Sequence, residues 1–270
     1  MKKQIFFSLA LTAATFVSSF TATAQETPAK KTEKKEKDSN YNHNNWNSSG
    51  WGGEKVIGTG DVVSETRDIS GFTGMSSGIS ADIELRQSAA FKVTIDGQKN
   101  IIDLVEMEVK EGILKLRFKK GYSMSYKKNL KIRLEAPSFT YLGMSGSGDV
   151  RAEGALKGEK LDIAISGSGD FDLTDLAYAD VKISISGSGD VVVSGSTERA
   201  ELSISGSGDV KAKGLKAQSV KCRVSGSGDV SCFAAKELDA YVSGSGDIQY
   251  SGNPSSVKKK VSGSGDIEAR

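Results

Sequence analysis

The stretch ELSISGSGDVKAK, residues 201–213, determines how the second half of this chain folds. Leu202 and Ile204 alternate with polar residues, which is typical of a strand with one buried face. The motif Ser-Gly-Ser-Gly-Asp follows, and Val210 and Ala212 then resume the alternation as a second strand. The stretch therefore predicts two strands joined by a glycine-rich turn.

The same motif occurs seven times between residues 144 and 267. Its copies end at Asp149, Asp170, Asp190, Asp209, Asp229, Asp247 and Asp266. Successive copies are 18 to 21 residues apart. A regular period over so many copies indicates stacked units, each of which buries its apolar face against its neighbours. We therefore predict an all-β fold, a β-solenoid whose rungs of about 20 residues each hold two strands and two turns, with Gly214–Ser219 as one of those turns.

The preceding residues, 55–141, lack the motif but show the same alternation, as in Ala81–Leu85. Asp96-Gly97 and Glu111-Gly112 separate such runs and are predicted to be turns. This segment is expected to form an N-terminal β-rich part of the same domain. The folded domain would then span residues 55–270.

The first 24 residues have the organisation of a secretory signal peptide. Lys2 and Lys3 precede an apolar stretch from Ile5 to Val17, and Ala22–Ala24 supplies the small residues that signal peptidase accepts. No later segment is apolar enough to span a membrane once this one is removed. The sequence thus predicts export, either to the periplasm or to the cell surface and extracellular space.

Composition excludes several partners. Without the signal peptide the chain carries 34 basic and 34 acidic residues, so no nucleic-acid or anionic-membrane partner is expected. Residues 25–54 are charged and then rich in Asn, Ser and Gly, which predicts a disordered linker. The single histidine, His43, lies in that linker, and its position removes most catalytic and metal chemistry that depends on imidazole.

If the alternation continues through the motif, both glycines face inward, where a Cβ would clash in a tight bend, and the serines and aspartate face outward. Carboxylates stacked about 4.8 Å apart repel each other by about 0.9 kcal/mol in water, so something must offset that repulsion. One interpretation is that each aspartate caps its turn by accepting backbone N–H bonds. Another is that the seven aspartates bind Ca²⁺, which prefers clustered carboxylates.

Cys222 and Cys232 lie at inward positions on either side of one motif, where other rungs have apolar residues. Both are first of all expected to be core residues. A disulfide between them is allowed in an oxidising compartment if their Cα atoms lie within about 7 Å, and the sequence leaves that possibility open.

The layout resembles a bacterial family known as putative auto-transporter adhesin, head GIN domain. The resemblance covers residues 60–268 and rests on Ile69–Phe72, Ser76–Leu85, Asn100–Asp103, Val105–Val109, Gly112–Leu116 and the Ser-Gly-Ser-Gly-Asp series. It implies an exported β-solenoid and suggests adhesion. The family carries no established catalytic residues to transfer.

Three hypotheses for function follow. We expect an exported, non-enzymatic binding module, an adhesin that presents a repeated Ser/Asp face to a surface or glycan ligand and needs no cofactor. The alternative is a ligand-free structural protein of the periplasm or envelope. The third is a carbohydrate-active enzyme, which would need one asymmetric site rather than seven near-identical ones. A monomer is expected, because Lys258–Lys260 disfavour strand pairing at the edge of the last rung.

Overall fold

The computed structural model describes residues 53–270, which form a β-solenoid of about six turns with rungs about 20 residues apart, as predicted. The predicted signal peptide and nearly all of the predicted linker lie outside the described residues. The elements are β1 (Glu54–Ile57), β2 (Val62–Arg67), β3 (Gly74–Ser77), β4 (Asp82–Gln87), β5 (Lys92–Gln98), α1 (Lys99–Ile102), β6 (Val105–Lys110), β7 (Ile113–Phe118), β8 (Tyr122–Ser125), β9 (Lys131–Ala136), β10 (Tyr141–Met144), β11 (Val150–Ala152), β12 (Leu156–Ile165), β13 (Phe171–Ile185), β14 (Val191–Ile204), β15 (Val210–Val224), β16 (Val230–Val242), β17 (Ile248–Ser251), β18 (Ser256–Val261) and β19 (Ile267–Ala269).

The rungs formed by β12–β16 have three faces, where the sequence predicted two strands. The first face ends at the motif, the second begins directly after it, and the third leads into the next rung. The predicted turn at Gly214–Ser219 is wrong, because this segment pairs in parallel with the rungs on both sides and forms a third face. Leu215 and Ala217 are buried there at the period of a strand. The alternation is not apparent in the sequence, because Gly214 precedes these residues and the pairing register between rungs shifts on either side of them.

The predicted alternation on the first two faces is confirmed. On the first face of one rung, the side chains of Leu161, Ile163 and Ile165 are fully buried. On the second face of a later rung, Val210 and Ala212 are buried to the same extent. Full burial of one such aliphatic side chain stabilises a fold by about 1.5–3 kcal/mol. The core is therefore a continuous apolar column, and each rung depends on its neighbours for burial.

Differences in length between rungs are absorbed on or next to the third face. The pairing register shifts between Leu173 and Leu176, between Val192 and Ser194, and at two places after Ala212. The first-face pairs of the same strands are unbroken, as are the short second-face pairs that follow each motif. The motif copies therefore stay aligned along the solenoid although their sequence spacing varies.

The motif glycines are required by close stacking of the rungs. An ideal Cβ on Gly208 would lie 2.0 Å from the carbonyl oxygen of Gly189, and one on Gly206 would lie 1.9 Å from that of Gly187. The same Gly187 oxygen accepts the backbone N–H of Ser207 at 3.0 Å. The predicted reason, a tight bend, is wrong: no motif glycine has a positive φ, and the obstacle is the backbone of the neighbouring rung.

The N-terminal part continues the stack in an order that differs from the sequence. β3 and β4 lie in parallel beside β10 and β11, and β7 and β9 form the next rung outward. There the parallel stack ends: β6 pairs antiparallel with β7, β5 pairs antiparallel with β9, and β2 with β5. β1 and β8 form a separate parallel pair.

Of the two predicted turns, one is confirmed. Glu111 and Gly112 join β6 to β7 with φ values of 54° and 74°, the left-handed conformation of a tight hairpin. Asp96-Gly97 lies inside β5, so that prediction is wrong. Glycine serves there to leave room, since an ideal Cβ on Gly97 would lie 2.7 Å from Leu130 Cδ1.

Replacing Gly208 by alanine should destabilise the domain by about 2 kcal/mol or more, because overpacked sites cost about 1–3 kcal/mol and the obstacle here is a backbone carbonyl. Urea unfolding followed by circular dichroism measures the loss. Ser207→Ala, at an exposed position of the same turn, is the matched control and should stay within about 0.5 kcal/mol of the parent. Equal unfolding midpoints for the two variants would contradict the stacking explanation.

Candidate functional site

The seven motif turns line up along one corner of the solenoid, between the first and second faces. We call this surface the Ser/Asp corner. It comprises residues 145–149, 166–170, 186–190, 205–209, 225–229, 243–247 and 262–266. Both serines of every copy are exposed, the first glycine is half-buried in all but the last copy, and the second glycine is buried. The predicted orientation of the motif therefore holds for its serines and for its second glycine.

The second serine of each motif forms an exposed row of hydroxyl groups. In the first copy, Ser147 Oγ lies 2.9 Å from Ser80 Oγ. Within residues 53–270, no protein group hydrogen-bonds the hydroxyls of the six later members, Ser168, Ser188, Ser207, Ser227, Ser245 and Ser264. Their backbone N–H groups are held by the previous rung, at 2.9–3.1 Å from its glycine carbonyl. The row is therefore fixed by the backbone while its hydroxyls face solvent.

Four of the seven first serines have a hydrogen-bond partner for their hydroxyl, and one of them, Ser262, lies 3.0 Å from the Tyr241 hydroxyl. Ser145, Ser186 and Ser225 each donate their hydroxyl to a carbonyl oxygen of the previous rung, at 3.3–3.4 Å. Beside them the outer surface of the first face carries small residues, including Gly143 and Ala164, which leave a shallow depression of about 230 Å³. The first four members of this row, Ser145, Ser166, Ser186 and Ser205, line that depression.

The aspartates are linked in a ladder of hydrogen bonds. Oδ1 of an aspartate accepts the backbone N–H of the aspartate in the next rung, at 2.7–2.9 Å, for Asp170, Asp190, Asp209, Asp229 and Asp247. Bonds to an ionised acceptor are stronger than neutral ones and favour the charged form. The donors belong to the following rung, whereas the sequence interpretation placed them in the aspartate's own turn. The ladder offsets the repulsion between stacked carboxylates.

Asp190 has an additional partner, since Lys211 Nζ lies 3.0 Å from its Oδ2. Burial raises the pKa of this carboxyl, but the N–H of Asp209 and the Lys211 ammonium outweigh burial and hold the pKa below its ordinary value of 3.8. A lowered pKa means that the stabilisation is present at neutral pH and is lost as the pH falls through the folded-state pKa. This carboxyl is thus ionised at neutral pH.

The predicted Ca²⁺ ligands are spread along the corner, one to a rung. In the part of the chain that the structure describes, no group of three or more His, Cys, Asp or Glu side chains lies close enough to hold a metal ion. Five of the seven aspartates already use one carboxylate oxygen within the ladder. Ca²⁺ takes six to eight oxygen ligands, so any bound ion would draw most of them from water or from a ligand.

Sequence reasoning missed an eighth, degenerate copy of the turn. Residues 78–82, Gly-Ile-Ser-Ala-Asp, align with Ser145–Asp149, and Ile79 and Ala81 stand where the motif has glycine. Glycine is unnecessary here because the adjacent rung has no such turn: between β7 and β9 the chain leaves the stack through β8. The spacing of Ser80 and Asp82 was the signal that could have revealed this copy.

Cys222 and Cys232 face each other inside one rung. Both are buried free thiols, and their Sγ atoms are 3.8 Å apart. The contact with Cys232, together with burial, raises the pKa of the Cys222 thiol well above its ordinary value. Both cysteines are core residues, as expected, and the disulfide that the sequence left open is neither required nor formed in this arrangement of free thiols.

The aspartate ladder can be tested by deleting one link. Asp209→Ala should destabilise the domain by about 1.5–3 kcal/mol, the range for a hydrogen bond to a charged group, because the N–H of Asp229 loses its acceptor. Asp209→Asn keeps an acceptor oxygen and should lose less. Asp266→Ala is the control, since the structure describes no rung beyond it. Thermal unfolding that ranks Asp266→Ala as severe as Asp209→Ala would argue against the ladder.

No helix among residues 53–270 is long and apolar enough to cross a membrane. The fold and the corner define a class of domain: a β-solenoid that presents one motif many times along a single corner. More specifically, the chain belongs to the family described as putative auto-transporter adhesin, head GIN domain, which matches residues 71–254. The predicted family is therefore confirmed.

Several solved structures share the fold. A putative adhesin from Bacteroides fragilis NCTC 9343 is 28% identical, with a TM-score of 0.78 over 80% of this chain and 100% of that one. A putative lipid binding protein from Parabacteroides distasonis ATCC 8503 is 26% identical, with a TM-score of 0.69 over the same shares. A putative adhesin from Parabacteroides merdae ATCC 43184, at 24% identity and a TM-score of 0.61 over 80% of this chain and 99% of that one, supports the fold alone. None of the proteins with curated functions matches the sequence.

Proposed function

We propose that this protein is an exported, non-enzymatic binding module that acts as an adhesin, with the Ser/Asp corner as its contact surface for a glycan-bearing surface. The observation that carries the proposal is the row of second-serine hydroxyls. They repeat once per rung, and in six successive rungs they lack a partner among the described residues. The family description and the 28% identical structure from Bacteroides fragilis both name a putative adhesin, which supports the same class.

The chemistry of the corner suits an extended polyhydroxylated ligand. A hydroxyl both donates and accepts a hydrogen bond, and an ionised carboxylate accepts from sugar hydroxyls. Rungs of a parallel stack repeat at about 4.8 Å, so a linear chain lying along the corner meets the same groups again and again. Each contact is weak, but contacts on one rigid rod add through effective concentration. Affinity would then grow with the number of rungs engaged.

The proposal also covers the cofactor, the oligomeric state and the location of the protein. The module requires no resident cofactor, because the ladder balances the aspartates without a metal. It acts as a monomer and does not bind nucleic acid, since its mature charge is balanced. The location is the cell surface, with the predicted linker as a tether.

A ligand-free structural role in the periplasm is the second candidate, and one observation favours it. The two glycines and the aspartate of the motif are needed for the stability of the stack, so three of the five motif residues require no ligand to explain them. If the serines serve only as small turn residues, the rod would be a spacer. The two candidates therefore differ in what the second-serine hydroxyls do.

Binding to a printed panel of bacterial and host polysaccharides separates these candidates. The triple variant Ser188→Ala, Ser207→Ala, Ser227→Ala should lose at least about tenfold in affinity for any polysaccharide that the parent binds, because hydroxyls of three consecutive rungs disappear. The control carries Ser196→Ala, Gln218→Ala and Lys236→Ala, three exposed positions away from the corner. It should bind as the parent does. Loss in both variants, or in neither, would remove the corner as the contact surface.

Location is tested by protease treatment of intact cells followed by mass spectrometry. The proposal predicts release of peptides from the solenoid, which has lysine and arginine on many exposed positions. Release only after the outer envelope is opened would place the protein in the periplasm. Adhesion would then be abandoned for the structural role.

The metal question is tested by melting curves with Ca²⁺ and with a chelator. We expect the same midpoint in both, because the carboxylate ladder is complete without an ion. A rise of several degrees with Ca²⁺ that Asp209→Asn reduces would instead establish binding along the corner.

A further inference from the structure

The last rung that the structure describes has a lysine over the apolar core. On the first face, one inward column runs through six buried residues of successive rungs, Leu142, Ile163, Ile183, Leu202, Cys222 and Ala240. The next member of this column is Lys259, which pairs with Ala240. A charged side chain therefore occupies the position at which every preceding rung contributes to the apolar core.

Lys259 lies across the open end rather than away from it. Its Nζ is 4.6 Å from the centroid of the Tyr250 ring and 3.3 Å from the carbonyl oxygen of Ile267, both on the second face. Its aliphatic stem thus covers the underlying core while the ammonium remains in contact with water. Val257 and Val261, the flanking inward residues, are 42% and 44% exposed, while their counterparts Leu238 and Val242 are buried.

The two neighbouring lysines have a different setting. Lys258 continues an outward column above Asp239, and Lys260 lies 5.6 Å from the Tyr241 ring. Both point to the outer surface, where charge is ordinary. Lys259 alone would be enclosed if another layer of strands docked on this end. Its ammonium would then lose water, with the Ile267 carbonyl and the Tyr250 ring as its partners and no carboxylate to balance its charge.

We propose that Lys259 keeps the open end of the solenoid from docking on a second copy of this chain. Within residues 53–270, β18 and β19 have no strand on their outer side, and such edges pair readily with another chain. An inward-pointing charge is one of the few devices that block this pairing without altering the rest of the rod. A stack of similar rungs could otherwise grow by adding the rungs of another copy.

Sedimentation velocity on the mature full-length protein tests the proposal with three variants. Lys259→Leu should self-associate, with an apparent dissociation constant at least about tenfold below that of the parent, whereas Lys258→Leu and Lys259→Arg should remain monomeric. Lys258→Leu is the matched control, because it removes the same charge from the adjacent outward position. Circular dichroism confirms that each variant is folded.

A folded Lys259→Leu variant that stays as monomeric as the parent would overturn the proposal. Association of Lys258→Leu to the same degree would also overturn it, since general edge charge rather than the inward lysine would then be responsible. If Lys259→Leu does not fold, Lys259→Met, which keeps the length of the stem, is measured against the same two outcomes.

Discussion

The approach of one glycine to the carbonyl oxygen of the glycine in the previous rung is the constraint on which the structure depends. Along the motif columns, an added Cβ would lie 1.8–2.1 Å from that oxygen in every step after the first. The carbonyl oxygen of each motif's first glycine also accepts the backbone N–H of the second serine in the next rung. The turns are therefore hydrogen-bonded between rungs in the same way as the strands. Turn and strand therefore stack at one spacing, and the corner remains as regular as the faces.

The regular stacking of the turns determines where the aspartate and serine side chains of each motif lie. Because successive turns are superimposed, each aspartate carboxylate accepts the next aspartate's N–H, and this bond offsets the repulsion between neighbouring carboxylates. The second serines are left with ordered backbones and solvent-facing hydroxyls. The surface repeats the same hydroxyl once per rung, which is why we propose a repetitive ligand for it rather than a small molecule.

Much of the fold could be predicted from the sequence because the motif is nearly invariant and its period is narrow. Leu202, Ile204 and Val210 reveal their buried faces by simple alternation. The third face could not be predicted, since Leu215 and Ala217 follow a glycine and the register shifts there. Nor could the spatial order of the N-terminal rungs, because β3 and β4 lie between two rungs that follow them in sequence, and no local pattern encodes that crossover.

The site was predictable in its residue types but not in its contacts. Spacing identified the seven aspartates, yet which N–H each one accepts depends on how neighbouring rungs superimpose. The eighth turn was missed because Ile79 and Ala81 replace the glycines that define the motif. Lys259 is hidden in a run of three lysines, and only the pairing with Ala240 shows that it belongs to the core column.

Amide hydrogen exchange followed by NMR tests the central claim most directly. If the motif turns are bonded between rungs, the amides of the second serines, such as Ser188, Ser207 and Ser227, should be protected nearly as strongly as strand amides such as that of Leu202. Exchange of these turn amides at the rates of unprotected loops, beside protected strands, would contradict the account.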